Sequence, residues 1–355
     1  MTSDRKMIFL PVFGTPSALS SWVVNLATVI VNVLAGDFAY IAAVTIDDFR
    51  NAWSQRDGKP VIFHTDCPQR PLVDLFLATN IPTLVVTEQP NDVYGYVRAT
   101  REYEIVSSMR FVTQSLCTLC EIINEKKNLV ISDKYYKKTP RQIIDDIINH
   151  FDIIVSADEF NSILVRCNGG LPEEATILEC VMQQVAMARP PGEFAKTWSL
   201  EEAEIVARTL PQYACLIEGR LPSRLIWPAE VFPHLDKPGA YAGGHISLQG
   251  PARVFIGGHA LHLPRGQWRA RILIEISNNW SGNFLFSDIL AEEKVVSIIT
   301  AKLPAQGAFE YDMTFNCDDP FFPLHVRLAI QQGAIEGELS LRLVCFDSIS
   351  EGTPV

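Results

Sequence analysis

Positive charge is scarce in this chain. Its 355 residues carry 30 Lys and Arg against 41 Asp and Glu, a formal net charge of -11. A nucleic-acid partner is therefore excluded, because neutralising phosphates requires a basic surface. The basic residues that exist gather only locally, at Lys126-Lys127 and at Lys137-Lys138 with Arg141. Long apolar runs are missing too. The stretch from Trp22 to Leu34 is the best candidate, yet two asparagines interrupt it. It falls short of the ~20 residues that cross a bilayer, so we expect a buried helix and no membrane span. Arg5 and Lys6 precede an apolar segment broken by Pro11 and Gly14, which does not read as a secretory signal.

Patterned cysteines and histidines are equally lacking. The 8 cysteines are scattered, as expected of buried thiols in a reducing cytoplasm. Cys117 and Cys120 have C-x-x-C spacing on a stretch that reads as a helix ending near Lys127. Without a second pair nearby, core packing and a metal or redox role both stand. His245, His259 and His262 lack the convergent spacing that zinc needs. Asp318-Asp319 could offer carboxylates to Ca²⁺ but also suits a strand boundary. No metal and no cofactor are expected.

What is present is organised in three parts. Residues 1–165 alternate apolar strands with helical stretches, the pattern of a parallel α/β sheet. Candidate strands are 7–13, 39–44, 60–64, 82–87 and 128–132, with 153–155 and 162–166 as short additions. Residues 166–225 read as a helical connector packing on that domain, with helices over 172–189 and 199–218. The second opens on the capping signature Ser199-Leu200-Glu201-Glu202. Residues 226–355 turn β-rich, with runs at 253–257, 268–277, 294–303, 308–316, 323–331 and 335–346. Short strands punctuated by Gly, Pro and Asn predict an antiparallel sandwich, jelly-roll-like.

Near the N-terminus, the run Ile8 to Phe13 leads into Gly14-Thr15-Pro16-Ser17-Ala18-Leu19-Ser20-Ser21-Trp22. A strand, a tight loop and a helix in that order offer backbone N–H groups and the positive end of a helix dipole to an anion. Ser20 and Ser21 suit a helix cap or a phosphate oxygen. But the loop holds no Lys or Arg, and Leu19 stands where wrapping a phosphate favours glycine.

This loop resembles the nucleotide-binding loop of the sulfotransferase family, P-K-S-G-T-T-W. Laid on Pro16 to Trp22, the proline, the two hydroxyl residues and the tryptophan agree. The lysine falls on Ser17, the serine on Ala18 and the glycine on Leu19. The segment His64-Thr65-Asp66-Cys67-Pro68 is similar to the family's K-T-H-x-P, with His64 for the lysine and Asp66 for the histidine general base. Glu88-Gln89-Pro90-Asn91-Asp92-Val93 resembles R-D-P-R-D-V. Glu88 and Asn91 replace the arginines, and Gly95 stands where the phosphate-binding serine is expected. Asn128 to Tyr136, followed by Thr139-Pro140 and a helix through His150, is similar to the family's late strand and last helix.

The resemblance implies a P-loop-like, sulfotransferase-like fold whose donor crevice is lined by Ser17, Ser20, Ser21, Glu88 and Asn91. It also implies loss of the donor, 3′-phosphoadenosine 5′-phosphosulfate. A glutamate at about 4 Å from a phosphate charge costs roughly 4 kcal/mol at an effective dielectric near 20. Losing a bidentate arginine and the loop lysine removes further stabilisation. His64 and Asp66 could act as a general base pair at the C-terminal edge of the sheet, or be a polar remnant there.

In the sandwich, Asn279, Trp280 and Asn283 combine an aromatic face with planar amides, the chemistry that binds sugars. The other reading is a strand connection with Trp280 buried. Leu263-Pro264-Arg265-Gly266-Gln267-Trp268 resembles a turn in sandwich domains attached to bacterial glycan-processing proteins. Apolar residues around Trp227-Pro228 and Phe232-Pro233, or an open strand edge, could carry a homo-oligomer interface. Two functions follow as expectations. One is a non-catalytic binding or assembly factor in bacterial surface-glycan production, with a glycan or protein partner. The other is a transferase with a changed donor, such as a nucleotide sugar.

Overall fold

Five short strands form a wholly parallel sheet in the order β2-β3-β1-β4-β5: β1 (Phe9–Gly14), β2 (Ala39–Ala42), β3 (Val61–Thr65), β4 (Leu84–Val86) and β5 (Leu129–Ile131). The computed structural model describes residues 8–237 and 239–349. Arg5, Lys6 and Met7, the last at the start of an expected strand, lie outside them. Alternate residues of β1 serve opposite cores, as strand geometry demands. Leu10 and Val12 join one apolar cluster with α1 (Ala18–Ala35), while Phe13 joins the other with Phe63 and Phe76. Phe63 and Phe76 stack at 5.5 Å between centroids.

The second cluster is completed by α2 (Ile46–Ser54), α3 (Arg70–Ala78) and the end of α5 (Ile105–Ile123), which follows α4 (Pro90–Arg101). The first cluster is completed by α6 (Pro140–His150), α7 (Ala157–Asn168) and α8 (Ile177–Gln184). Among the described helices α1 alone is long and apolar enough to cross a membrane, with mean hydropathy 1.8, and 56% of it is buried. Apolar α1 is what the buried face of this sheet requires.

Two expected short strands are corrected. Residues 153–155 are not in a strand, and 162–166 lie in α7. The signal overlooked is the capping box Ser156-x-x-Glu159, whose reciprocal bonds start α7. The helix expected over 172–189 shrinks to α8, begun by a second box at Thr176 and Glu179. The helix expected over 199–218 becomes α9 (Leu200–Thr209) followed by a 3₁₀ turn from Leu210 to Glu218. Pro211 lacks the N–H that would continue α9.

The chain divides into two compact units. The first takes residues to Tyr103, Thr118–Trp198 and Ile217–Arg220; the second takes Glu104–Cys117, Ser199–Leu216 and Leu221 onward. The stretch 166–225 is thus shared between them.

The second unit contains two antiparallel sheets. One runs β12-β9-β14-β6, with β7 pairing β14; the other runs β11-β10-β13-β8. Their strands are β6 (Arg224–Pro228), β7 (Ile246–Ser247), β8 (Arg253–Ile256), β9 (Gly266–Ser277), β10 (Phe284–Ala291), β11 (Lys294–Lys302), β12 (Gly307–Cys317), β13 (His325–Ile330) and β14 (Glu338–Ser348). β9 alternates cleanly, burying Trp268, Ala270, Ile272, Ile274 and Ile276. β10 escaped the sequence pattern because its centre is polar: buried Asp288 is held by Arg327 from β13. The turn before β9 is closed by Trp268, whose indole N–H donates to the Pro264 carbonyl at 3.0 Å.

Trp227 and Phe232 are 0% and 1% exposed, so the apolar patch expected around them is core instead. Burial of an indole requires a partner for its N–H. Trp227 Nε1 donates to Tyr213 Oη at 2.9 Å, and Tyr213 donates to the His262 carbonyl at 2.9 Å. His262, 1% exposed, sets its Nδ1 2.9 Å from the Pro320 carbonyl. Burial pushes its pKa down to about 3. The sign follows: the neutral ring favours the folded state above pH 6.5, and this stabilisation is lost as pH falls toward 3. The full shift from 6.5 to about 3 corresponds to roughly 5 kcal/mol. Denaturant unfolding of the whole chain at pH 7 and pH 4 should show a loss that His262→Gln reduces; an unchanged difference would refute this origin.

Candidate functional site

The order β2-β3-β1-β4-β5 reverses direction at β1, and crevices form at such points beyond the carboxyl ends of the strands. The loops after β1, β3 and β4 meet there. Gly14 ends β1 because nothing larger fits: a Cβ on it would lie 2.1 Å from Ser20 Oγ. This close approach sets the N-terminus of α1 over the strand end. Ser17 caps α1, accepting from Ser20 N at 3.2 Å, and the Ser21 hydroxyl donates back to the Ser17 carbonyl at 3.0 Å.

A cleft of about 550 Å³ opens above the loop. Ser17, Ser20, Ser21, His64 and Asp66 all line it, so five residues singled out from sequence come together. Glu88 and Asn91 do not line it. Asn91 sits in the first turn of α4 with a buried, unpartnered side-chain oxygen. Glu88 is 6% exposed and turned into the loop itself. Its Oε2 accepts the Leu19 N–H at 3.2 Å, and its Oε1 accepts the Tyr136 hydroxyl. The Ser17 hydroxyl is a third partner. The acceptor that this helix N-terminus invites is thus a carboxyl group of the chain.

Burial raises the Glu88 pKa above the ordinary value, against the pull of Ser17, Tyr136 and Leu19. Burial also lowers that of His64, against the nearby Asp66 charge, so the ring is neutral at pH 7 and able to accept a proton. Tyr40 Oη lies 3.3 Å from His64 Nδ1. Asp66 accepts from Arg101 at 3.2 Å and from the Cys67 thiol at 3.3 Å. Thr15 and Ser20 stand in the cleft wall, and their hydroxyl oxygens are buried with no protein partner.

Sequence reasoning missed the far wall. Tyr96, Thr100 and Arg101 of α4 and Tyr103 beyond it complete the cleft. The signal was available, since Tyr96 and Thr100 are one helical turn apart, four residues beyond Asp92. Arg101 supplies the cation that the loop lacks. Gly95 has its own reason: a Cβ there would lie 2.2 Å from the Phe194 side chain.

The sandwich residues separate by role. Asn279 is 0% exposed and internal: its amide donates to the Leu303 and Pro304 carbonyls and accepts from Asn283. Asn283 also donates to the Glu336 carbonyl. Both are structural supports. Trp280 is 69% exposed, which overturns the reading that buried it. It lines a second cleft, of about 480 Å³. Cys117 and Cys120 are buried, and none of the 8 cysteines is in a disulfide. No group of three or more metal-ligating side chains occurs among the described residues.

No protein-family model matches the chain, and no curated protein matches it either. Solved structures overlap parts of it. A mouse sulfotransferase complexed with PAP is 13% identical and covers 61% of this chain and 90% of its own, at a TM-score of 0.37. The C-terminal CBM6 of LamC, a marine laminarinase from Zobellia galactanivorans, is 12% identical over 35% of this chain and 99% of its own, at 0.24. The CBM36-1 domain of a multidomain xylanase from the hindgut metagenome of Trinervitermes trinervoides is 10% identical over 37% and 99%, at 0.24. Overlaps this loose leave the chemistry to the residues themselves.

Replacing Glu88 with Ala would strand three buried donors, each costing ~1–3 kcal/mol in the absence of a new partner. The pH dependence has the opposite sense to that of His262. A carboxyl with a raised pKa favours the folded state below about pH 4.5, and that contribution is lost as pH rises through the shifted value. Stability of Glu88→Gln relative to the native chain should therefore improve from pH 5 to pH 8. A constant difference in urea unfolding over that range would show that Glu88 does not titrate in this way.

Proposed function

We propose that this chain is a non-catalytic binding or assembly factor for glycans, of the kind serving bacterial surface-glycan production in the cytoplasm, and that it makes no use of a phosphosulfate donor. The observation that carries the first half is Glu88. A donor phosphate would need the loop N–H that the Glu88 carboxyl already holds. Arg101 offers no net compensation, because Asp66 pairs with it at 3.2 Å. Support for a glycan comes from Trp280, an exposed indole on a loop held by hydrogen bonds.

Thermal unfolding with millimolar 3′-phosphoadenosine 5′-phosphate tests the first half. A ligand at 100 times its Kd stabilises by about 2.7 kcal/mol through mass action, a shift of a few degrees in a protein this size. We expect no shift, and a saturable rise in melting temperature would sink the proposal.

One group of residues favours a second reading, a transferase with a changed donor such as a nucleotide sugar. His64 is neutral at pH 7 beside Asp66, and Thr15 and Ser20 in the wall of the same cleft carry buried hydroxyls without a protein partner. Asp66→Ala separates the two. Loss of a glycosyl-transfer activity of at least 100-fold with folding intact would favour the enzyme. Glycan binding unchanged by this substitution, with no transfer from any nucleotide sugar, favours the binding factor.

A further inference from the structure

The loop carrying Trp280 is built to hold still. Asn278 adopts a left-handed backbone with φ of 54°. Asn279 N donates to the Ala305 carbonyl at 3.0 Å, and the Asn279 side chain reaches the Pro304 carbonyl at 2.9 Å. Ser281 N donates to Glu336 at 2.6 Å, and Leu303 N donates to the Asn283 carbonyl at 2.9 Å. Residues on both sides of Trp280 are therefore tied to two neighbouring segments, and the indole projects from between them. A large apolar group kept in water on a rigid support meets the physical requirement for a binding platform, because little ordering remains to be done on association.

The charge around it is selective. Beside Trp280, the cleft is walled by Asn279, Ser281, Gly282, Leu303, Pro304, Ala305 and Phe309, all uncharged, and by Lys302. Lys302 is exposed and forms no ion pair among the described residues. Its chain passes close to Gly282, where an added Cβ would come within 2.9 Å of Lys302 Cε. Glu336, the carboxylate of the adjoining loop, has one oxygen engaged by Ser281 N–H. In a chain of net charge -11, the lining of this cleft contains a lone cation and no anion.

We infer that the Trp280–Lys302 cleft binds an acidic sugar, whose ring stacks on the indole while its anionic group meets the Lys302 ammonium. The inference rests on the glycan-binding reading above and adds the ligand class. A carboxylate and a sulfate ester share the chemistry, a fixed anionic oxygen on a pyranose.

Binding of the full-length chain to neutral, uronate-bearing and sulfated glycans on one array, repeated with Trp280→Ala and Lys302→Met, tests it. We expect retention of acidic glycans, weakened by salt as a screened charge contact must be. Trp280→Ala should lower that affinity at least tenfold. Lys302→Met should lower it about fivefold and leave any neutral binding untouched. Stronger capture of the uronate or of the sulfate arm identifies which anion is read, and either supports the inference. Neutral glycans bound as tightly as acidic ones would overturn the charge selection while leaving the glycan reading in place. Acidic binding indifferent to both substitutions would place the site elsewhere and overturn the inference. Silence across the array would remove the inference and the glycan reading together. Unchanged urea unfolding of both variants excludes a folding defect as the cause of any loss, since both side chains are exposed.

Discussion

One carboxylate ties together the loop after β1, the end of β4 and the turn after β5. Glu88 accepts from Leu19 at the start of α1 and from Tyr136, which lies between β5 and α6. A helix N-terminus concentrates unpaired N–H groups and a positive partial charge, and burial leaves no water to satisfy them. Some anion or acceptor must be supplied. With the acceptor built into the chain, the loop is relieved of wrapping a phosphate and need not contain glycine at its tip. Leu19 can then turn inward, and it does: it is 0% exposed and part of the core that packs α1 on the sheet. Leu19 at the loop tip and Glu88 at its base are in this sense one arrangement, each making the other tolerable.

The same constraint shapes the rest of the cleft. Its charges come as Arg101 with Asp66, and its remaining polar groups are hydroxyls and a neutral imidazole. A site of that kind lacks the surplus positive charge that phosphate-rich donors require. It retains directional donors and acceptors, so polar ligands without net charge are not opposed. The electrostatics of the cleft thus suit neutral polar ligands better than phosphate-rich ones.

Much of this was legible in the residues before any geometry. The parallel order, the loop before α1 and the position of His64 and Asp66 follow from local pattern, because strand length and apolar periodicity are local properties. What escaped reading depended on pairs distant in sequence. Glu88 could be placed near the loop but not oriented, since its orientation is set by Tyr136, 48 residues away. Arg101 was invisible as a site residue because only the fold brings it to Asp66. Trp227 and Phe232 read as surface because prolines flank them, yet Tyr213 supplies the hydrogen bond that lets Trp227 go inside. β10 was lost for the related reason that Asp288 breaks its apolar pattern, and the compensating Arg327 lies on another strand.

Trp280 poses the converse question of why an apolar side chain stays out. Burying an indole is worth on the order of 2–3 kcal/mol, so leaving it 69% exposed forgoes a gain available elsewhere in the same sandwich. Exposed aromatics on slack loops need no special account, as they can fold back against the surface. This loop is denied that freedom by Asn279, whose amide is fully engaged at its base, and by Glu336, which fixes Ser281. The hydrogen bonds thus maintain an exposure that hydrophobicity alone would remove. A structure that sustains such a conflict is stabilising presentation of the ring, and the flanking ammonium gives the presented surface its sign.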